Sequence, residues 1–170
     1  FYTNNVLGSD SLNVISSRIN GYNVTQFYAA AIHPYIGKNF FLAGAQDNGT
    51  QKFLSPTFSS TSSVFGGDGA FCFIDQSNPK FQIASYVGNS YYLSSDSGAS
   101  FNQTLIGNTK LGSFINPATY DNILHILYSN SGINYLVRIK NITGVPKIEN
   151  DTIPNLTSSV TALRVSPYNH

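Results

Sequence analysis

Short apolar runs separated by turn-forming residues make up most of the chain. The runs are rich in Phe, Tyr, Val and Ile, several alternate apolar with polar positions, and Gly, Pro, Asn or Asp interrupts them. This pattern predicts β-strands joined by tight turns. No window places apolar residues at i, i+3, i+4 and i+7 over three turns, so the pattern predicts an all-β chain.

Residues 66–101 contain the clearest single unit of this pattern. An apolar run at 70–74 is followed by an alternating run at 81–86 and a further run at 91–94, with turns containing Pro or Gly between them. A fourth run follows at 102–106. The unit therefore predicts four short antiparallel strands, connected in chain order.

The same pattern begins again elsewhere in the chain. An apolar run that leads into a Pro or Asn turn starts near Gln26, Ala70, Gly112 and Ser159, at intervals of about 40 to 50 residues. That period is typical of the four-stranded blade of a β-propeller. The remaining strands are predicted at 27–33, 40–45, 50–54 and 62–65 in the first unit, and at 113–119, 123–128, 135–139 and 148–153 in the third.

The repeats predict one incomplete propeller domain of about three complete four-stranded blades. Its units are the end of a preceding blade at 1–22, blades at 23–66, 67–110 and 111–157, and the start of another blade at 158–170. Even the smallest propellers have about four blades. We therefore expect the remainder of the propeller, in the same parent chain or in a separate segment, to be a partner.

The most regular turn follows the run at 91–94. Asp96 can accept hydrogen bonds from backbone N–H groups ahead of it, Gly98 can adopt a positive φ, and Phe101 can fold back into the core. These local hydrogen bonds would occupy the carboxylate. We therefore interpret Asp96 as a structural residue and not as a catalytic acid.

This turn, Ser94-x-Asp96-x-Gly98-x-Ser100-Phe101, resembles the Asp-box or bacterial neuraminidase (BNR) repeat, Ser/Thr-x-Asp-x-Gly-x-Ser/Thr-Trp/Phe. The resemblance implies a hairpin between the third and fourth strands of a propeller blade. Asp-boxes occur in sialidases, xyloglucanases, sortilin-type receptors and secreted bacterial proteins, so the resemblance implies a secreted or cell-surface repeat protein more than one activity. Segments 23–28, 46–50 and 66–69 also resemble secreted bacterial and sortilin-like propellers.

Composition narrows the classes of partner. Charged residues make up only 10% of the chain and the formal net charge is +1, so no basic surface for nucleic acid is indicated. The longest apolar runs are far shorter than the ~20 residues that span a bilayer. The single Cys72 lies between Phe71 and Phe73, where we expect a small buried core residue.

The ligand-binding candidates are Gln46, Asp47, Asn48 and Asp68. In a four-stranded blade, the loop between the second and third strands lies at the same end as the connection to the next blade. Gln46, Asp47 and Asn48 belong to a loop of the first kind and Asp68 to a loop of the second. We therefore expect these four residues to share one face.

Asp47 and Asp68 also form the one carboxylate pair that this topology brings together. Glycoside hydrolysis needs two carboxylates, ~5 to 5.5 Å apart for retention or ~6.5 to 9.5 Å apart for inversion. The same two residues are the candidates for a calcium site, since calcium prefers oxygen ligands. Against both hypotheses, Asp-Asn-Gly is a turn sequence in its own right, and we assign no catalytic residue and no cofactor.

Two further site types find little support. Resemblance to sialidases would imply three arginines that together bind the carboxylate of the substrate. Here the three arginines belong to different repeat units. The histidines have no metal-ligand spacing. The residues concerned are Arg18, Arg138 and Arg164, and His33, His125 and His170.

The sequence favours a binding or scaffold module of a secreted or cell-surface Asp-box propeller, with a carbohydrate or protein ligand. One alternative is part of a glycoside hydrolase, xyloglucanase-like more than sialidase-like. A second is a sortilin-like peptide receptor. An enzyme requires Asp47 and Asp68 to be unpaired and accessible, whereas a binding module does not.

Overall fold

The computed structural model describes residues 25–38, 40–55 and 61–168, and these residues form strands and no helix. The expected partial unit at 1–22 lies outside them. Within the same residues, no helix has the length and apolar character needed to cross a membrane. The predicted all-β class is confirmed.

The strands of the described residues form three four-stranded antiparallel sheets, in each of which neighbours in sequence are neighbours in space. Sheet I contains β1 (Ala29–Ile32), β2 (Phe41–Ala45), β3 (Gly49–Phe53) and β4 (Ser62–Phe65). Sheet II contains β5 (Cys72–Ile74), β6 (Gln82–Ser85), β7 (Asn89–Ser94) and β8 (Gln103–Asn108). Sheet III contains β9 (Ala118–Asp121), β10 (Ile126–Asn130), β11 (Tyr135–Lys140) and β12 (Lys147–Thr152).

The first strand of sheet III differs from the prediction. The sequence predicted a strand at 113–119, but β9 begins at Ala118. Residues before it form a connection in which the Ser113 N–H donates to Asn116 Oδ1 and Phe114 O accepts from Gly88 N–H. Pro117 has no N–H to contribute to a strand ladder. Phe114 and Ile115 therefore lie in a connecting loop and not in a strand, and the Phe114 side chain is exposed.

Sheet II lies between the other two sheets and has apolar side chains on both faces. Successive residues of a strand point to opposite faces. In β6, Ala84 packs with Leu42 of sheet I, whereas Ile83 packs with Leu127 of sheet III. Leu42, Ala84 and Leu127 are fully buried, and burial of a leucine side chain contributes about 1.5 to 3 kcal/mol. Two apolar layers therefore fix the order of the sheets.

The first strands of the three sheets line one cavity of about 600 Å³, the central cavity. Its walls come from β1, β5, β9 and residues 161–164. Cys72 of β5 is buried, as expected from the sequence, and its thiol donates to Ala29 O of β1 at 3.8 Å. Burial raises the pKa of this thiol to about 12. The first strand of each of the three sheets therefore faces the central cavity.

Because each sheet is an antiparallel meander, its loops alternate between two ends. The junction end carries the β2–β3 hairpin and the β4–β5 connection, with their equivalents in the other sheets. The box end carries the β1–β2 loop and the β7–β8 hairpin that contains Asp96. These two ends provide the surfaces on which the candidate sites lie.

Candidate functional site

The structure brings the four candidate residues together at the junction end. The backbone N–H of Asp47 donates to Asp68 Oδ1 at 3.0 Å, and Asn48 Nδ2 donates to the carbonyl oxygen of Gln46 at 3.2 Å. Tyr28 joins them, since its hydroxyl donates to Gln46 Oε1 at 2.6 Å. We call Tyr28, Gln46, Asp47, Asn48 and Asp68 the junction cluster. All except the half-buried Asp68 are exposed.

Close backbone contact beneath the junction cluster positions its side chains. A Cβ on Gly44 would lie 2.0 Å from Ala70 O, and a Cβ on Gly69 would lie 2.2 Å from Gly49 O. The Gly69 N–H also donates to Ala45 O at 2.9 Å. Only glycine permits this approach. Backbone contacts alone thus hold the β2–β3 hairpin against the β4–β5 connection, without any contribution from the side chains of the cluster.

The two carboxylates of the junction cluster have different surroundings. One oxygen of Asp68 is occupied by a backbone N–H, so Asp68 serves to hold the β2–β3 hairpin. Asp47 is exposed and has a φ of +62°, which is turn geometry. Asp68 therefore has a structural contact, and the backbone of Asp47 has the conformation of a turn residue. Within the described ranges, no group of three or more His, Cys, Asp or Glu side chains is arranged to hold a metal ion.

The Asp96 hairpin lies at the box end, away from the junction cluster. Asp96 Oδ1 accepts from the Ala99 and Ser100 N–H groups at 3.1 and 2.9 Å and from the Ser94 hydroxyl at 2.7 Å. Its Oδ2 accepts from the Ser100 hydroxyl at 2.7 Å. The hydroxyl bonds from Ser100 and Ser94, followed by the backbone bonds, hold the pKa of Asp96 well below its ordinary value.

The rest of this hairpin connects sheet II to sheet I. Gly98 has a φ of +72° and its N–H donates to Ser94 Oγ at 2.9 Å. Phe101 is 5% exposed and packs with Phe65 at a ring separation of 6.4 Å. Lys52 of sheet I donates to Gly98 O at 3.1 Å. These contacts account for Ser94, Asp96, Gly98, Ser100 and Phe101 as parts of the fold.

A buried cluster that the sequence analysis missed joins sheets II and III at the box end. Asp75 Oδ2 accepts from the Tyr120 hydroxyl and contacts His125 Nδ1, both at 2.6 Å. Asp75 Oδ1 accepts from the N–H groups of Ser77 and Asn78, both at 2.9 Å. Burial raises the pKa of Asp75, but the bonds from Tyr120, Ser77, Asn78 and His125 together outweigh it, so the pKa is lowered.

The sequence does carry one signal for this cluster. Asp75 follows the last residue of β5 and Asp121 ends β9, and both accept from N–H groups two and three residues ahead. The shared position identifies an Asp turn after the first strand of sheets II and III, whereas β1 of sheet I is followed by His33. It does not reveal His125, which lies 50 residues from Asp75.

A second missed group is a buried polar network between sheets II and III at the junction end. Asn116 Nδ2 donates to Ser129 Oγ at 2.9 Å and to Asn130 O at 2.7 Å. The Tyr91 hydroxyl is 2.7 Å from Ser129 Oγ, which also donates to Asn89 Oδ1 at 2.7 Å. Burial raises the pKa of Tyr91 to about 12. We call these five residues the amide network.

Comparison with known proteins gives no assignment. No protein-family model matches the chain, and a search of curated proteins finds no match.

Proposed function

We propose that the chain is part of an Asp-box β-propeller of a secreted or cell-surface protein, and that it acts as a non-catalytic binding module for a carbohydrate. Three consecutive meander sheets and a cavity shared by their first strands support the propeller arrangement. The Asp96 hairpin supports the Asp-box assignment, because every fixed polar position of the motif is engaged in it.

The outer face of sheet I supports the proposal that further propeller strands pack against this chain. Ile32 pairs with Phe41 and Phe41 with Phe53, on the face turned away from sheet II. The Phe41 and Phe53 rings stack at 4.1 Å, and Ile32 is 70% exposed. Apolar faces of this kind are usually covered by another element. An adjacent blade would cover it.

The observation that carries the ligand proposal is the composition of the junction cluster. Tyr28 is 45% exposed and lies beside the amide of Gln46, with Asn48 and two carboxylates nearby. An aromatic face next to planar donors and acceptors matches a sugar ring, which has an apolar C–H face and a rim of hydroxyl groups. No cationic residue belongs to the cluster, so a neutral saccharide fits it best.

The same geometry favours binding over hydrolysis. A retaining or inverting glycosidase needs two carboxyl groups free to exchange protons with substrate or water. In the junction cluster, Asp68 instead accepts a backbone N–H of the neighbouring loop. We therefore favour the binding module over the glycoside hydrolase, and both of these over the sortilin-like peptide receptor.

A glycan array followed by calorimetry tests the proposal. We expect the chain to bind one or more neutral oligosaccharides and to release no reducing sugar from them. Tyr28→Ala should weaken binding about tenfold, because loss of an aromatic contact of roughly 1.4 kcal/mol changes Kd by that factor. Tyr135→Ala is the matched control, since Tyr135 is similarly exposed, at 51%, and lies in sheet III.

Three results would overturn it. Absence of binding to every neutral glycan would remove the carbohydrate assignment. Release of reducing sugar that Asp47→Asn or Asp68→Asn abolishes would establish the hydrolase alternative. Equal loss of affinity in the Tyr28 and Tyr135 variants would show that binding takes place elsewhere on the molecule.

A further inference from the structure

A second cavity, of about 430 Å³, opens at the box end between sheets I and II. Its walls include His33, Lys38, Phe40, Lys52, Gln82 and Ser97. We call it the lysine cavity. It lies at the opposite end of the sheets from the junction cluster, and its size falls within the ~300 to 1,000 Å³ of small-molecule sites.

The described lining of the lysine cavity carries positive charge. Among the residues that the structure describes, it contains two lysines and no Asp or Glu. The ion pairs among the described residues belong to His125, Arg138 and Lys140, so neither Lys38 nor Lys52 takes part in one. A concave site with two unbalanced ammonium groups attracts an anion.

Lys52 is held in place at the edge of the lysine cavity. Its ammonium group donates to Ser97 O at 3.3 Å and to Gly98 O at 3.1 Å, and lies 4.9 Å from the centre of the Phe40 ring. An ammonium group has three N–H donors. Two are used by these carbonyl groups, so one remains for a ligand and its position is already fixed.

His33 adds a further oriented donor. Its Nδ1 accepts from the Tyr35 N–H at 3.3 Å, so in the neutral ring the hydrogen is on Nε2. The Tyr35 and Phe40 rings meet the imidazole edge to face, with centroids at 5.1 and 5.8 Å. These contacts fix the ring, and Nε2–H is left as a donor.

Gln82 belongs to the wall of the lysine cavity. The residue is 1% exposed, and its Nε2 donates to Pro79 O at 2.9 Å. Its Oε1 is buried and faces Gly98, where a Cβ would lie 2.2 Å from it. Gln82 therefore fixes the shape of the wall and does not offer its amide oxygen to a ligand.

We propose that the lysine cavity binds a carboxylate-bearing saccharide of the hexuronate class. The carboxylate pairs with Lys38 and Lys52, and a ring hydroxyl accepts from His33 Nε2–H. Phe40 and Leu54 provide an apolar wall for the C–H face of the sugar. A hexuronate carries a carboxylate and hydroxyl groups on one ring, and therefore satisfies both kinds of donor. The proposal does not depend on the junction cluster.

Calorimetry of the 170-residue chain with tri-galacturonate, and with the same trisaccharide as its methyl ester, tests this site. The ester removes the charge and keeps the ring. We expect the acid to bind at least tenfold more tightly, and the difference to shrink as added salt screens the exposed charges. Lys38→Ala should weaken binding of the acid about tenfold, because it removes one charge-assisted contact.

Lys110→Ala is the matched control, because it removes the same charge from an exposed lysine at the junction end. It should change the affinity less than about twofold. Equal binding of acid and ester, or equal loss in the two lysine variants, would overturn the proposal. Tighter binding of tri-glutamate than of tri-galacturonate would also overturn it, since the cavity would then recognise a peptide carboxylate.

Discussion

At the junction end, sheet I meets sheet II through backbone contact, whereas sheet II meets sheet III through buried polar side chains. Both joints have the same framework, in which a connection to the next sheet bonds to the hairpin between the second and third strands. In the first joint Gly69 N–H donates to Ala45 O, and in the second Gly88 N–H donates to Phe114 O. The groups that pack around these two backbone bonds differ between the joints.

The first joint leaves no space between its backbones, as the contact of Gly44 with Ala70 shows. The second is wider and contains the amide network, in which Asn116 alone donates to three partners. In the first joint the connection donates the backbone bond, and in the second joint it accepts one. A repeat can therefore keep the strand order and a backbone contact between connection and hairpin while the packing chemistry changes from unit to unit. The first joint depends on the absence of a side chain, and the second on the hydrogen bonds of several.

The largest effect is expected from filling the first joint. Gly44→Val places a branched side chain where even a Cβ would lie 2.0 Å from Ala70 O. Overpacking against backbone should lower the free energy of unfolding by about 3 kcal/mol or more. Urea denaturation measures it. Gly66→Ala is the control, because no atom lies within 4 Å of a Cβ there, and a comparable loss in the control would contradict the account.

The second joint should be weakened by loss of its central amide. Asn116→Ala removes the short hydrogen bonds to Asn130 O and Ser129 Oγ from a buried site, at a cost of about 2 kcal/mol. The exposed Asn102→Ala should be nearly neutral in the same urea titration. If the urea concentration at the midpoint of unfolding is the same for the Asn116 variant and the wild type, the amide network does not hold sheets II and III together.

A smaller effect is expected from acid at the box end, where Asp75 connects sheets II and III. The pKa of Asp75 is lowered in the folded chain, so its contribution to stability is complete above the ordinary value of 3.8 and is lost as the pH falls through the folded pKa. Among the described residues, no such buried carboxylate lies between sheets I and II. Hydrogen exchange at decreasing pH, corrected for intrinsic rates, should therefore show the box-end contact of sheets II and III opening before the contact of sheets I and II.

Asp75→Asn is the variant that checks the assignment. It removes the charge that accepts from Tyr120 and His125, and should lower stability at neutral pH by about 1.5 kcal/mol. It should also reduce the acid dependence of the box-end contact between sheets II and III. An unchanged acid dependence would mean that another carboxylate, such as the exposed Asp96, accounts for it.

Much of the strand pattern could be predicted, because alternation and turn residues act locally. The predicted strand at 62–65 coincides with β4 (Ser62–Phe65), and the meander topology was enough to bring Asp68 next to the β2–β3 hairpin. The strand expected at 113–119 was wrong because its polar residues serve a joint with another sheet. From the sequence alone, Asn116 is interpreted as a turn residue. Its role in the joint becomes evident only from its contacts with Ser129 and Asn130.

The buried sites could not be predicted for the same reason. Asp75 and His125 belong to different sheets, and Lys52 and Gly98 are 46 residues apart. Gln82 lies in an alternating run that the sequence marks only as a strand, and its unpartnered oxygen is a property of its neighbours in space. Local pattern determines strands and turns, whereas these sites depend on which units pack together.

Hydrogen exchange of two amides tests the central claim most directly, that the sheets are successive units packed through equivalent joints. Gly69 and Gly88 lie in loops, and their N–H groups would exchange rapidly if the sheets did not pack in this way. The account predicts that both are protected to a degree comparable with the strand amides of β6. Exchange of either amide at the rate of an unstructured loop would contradict it.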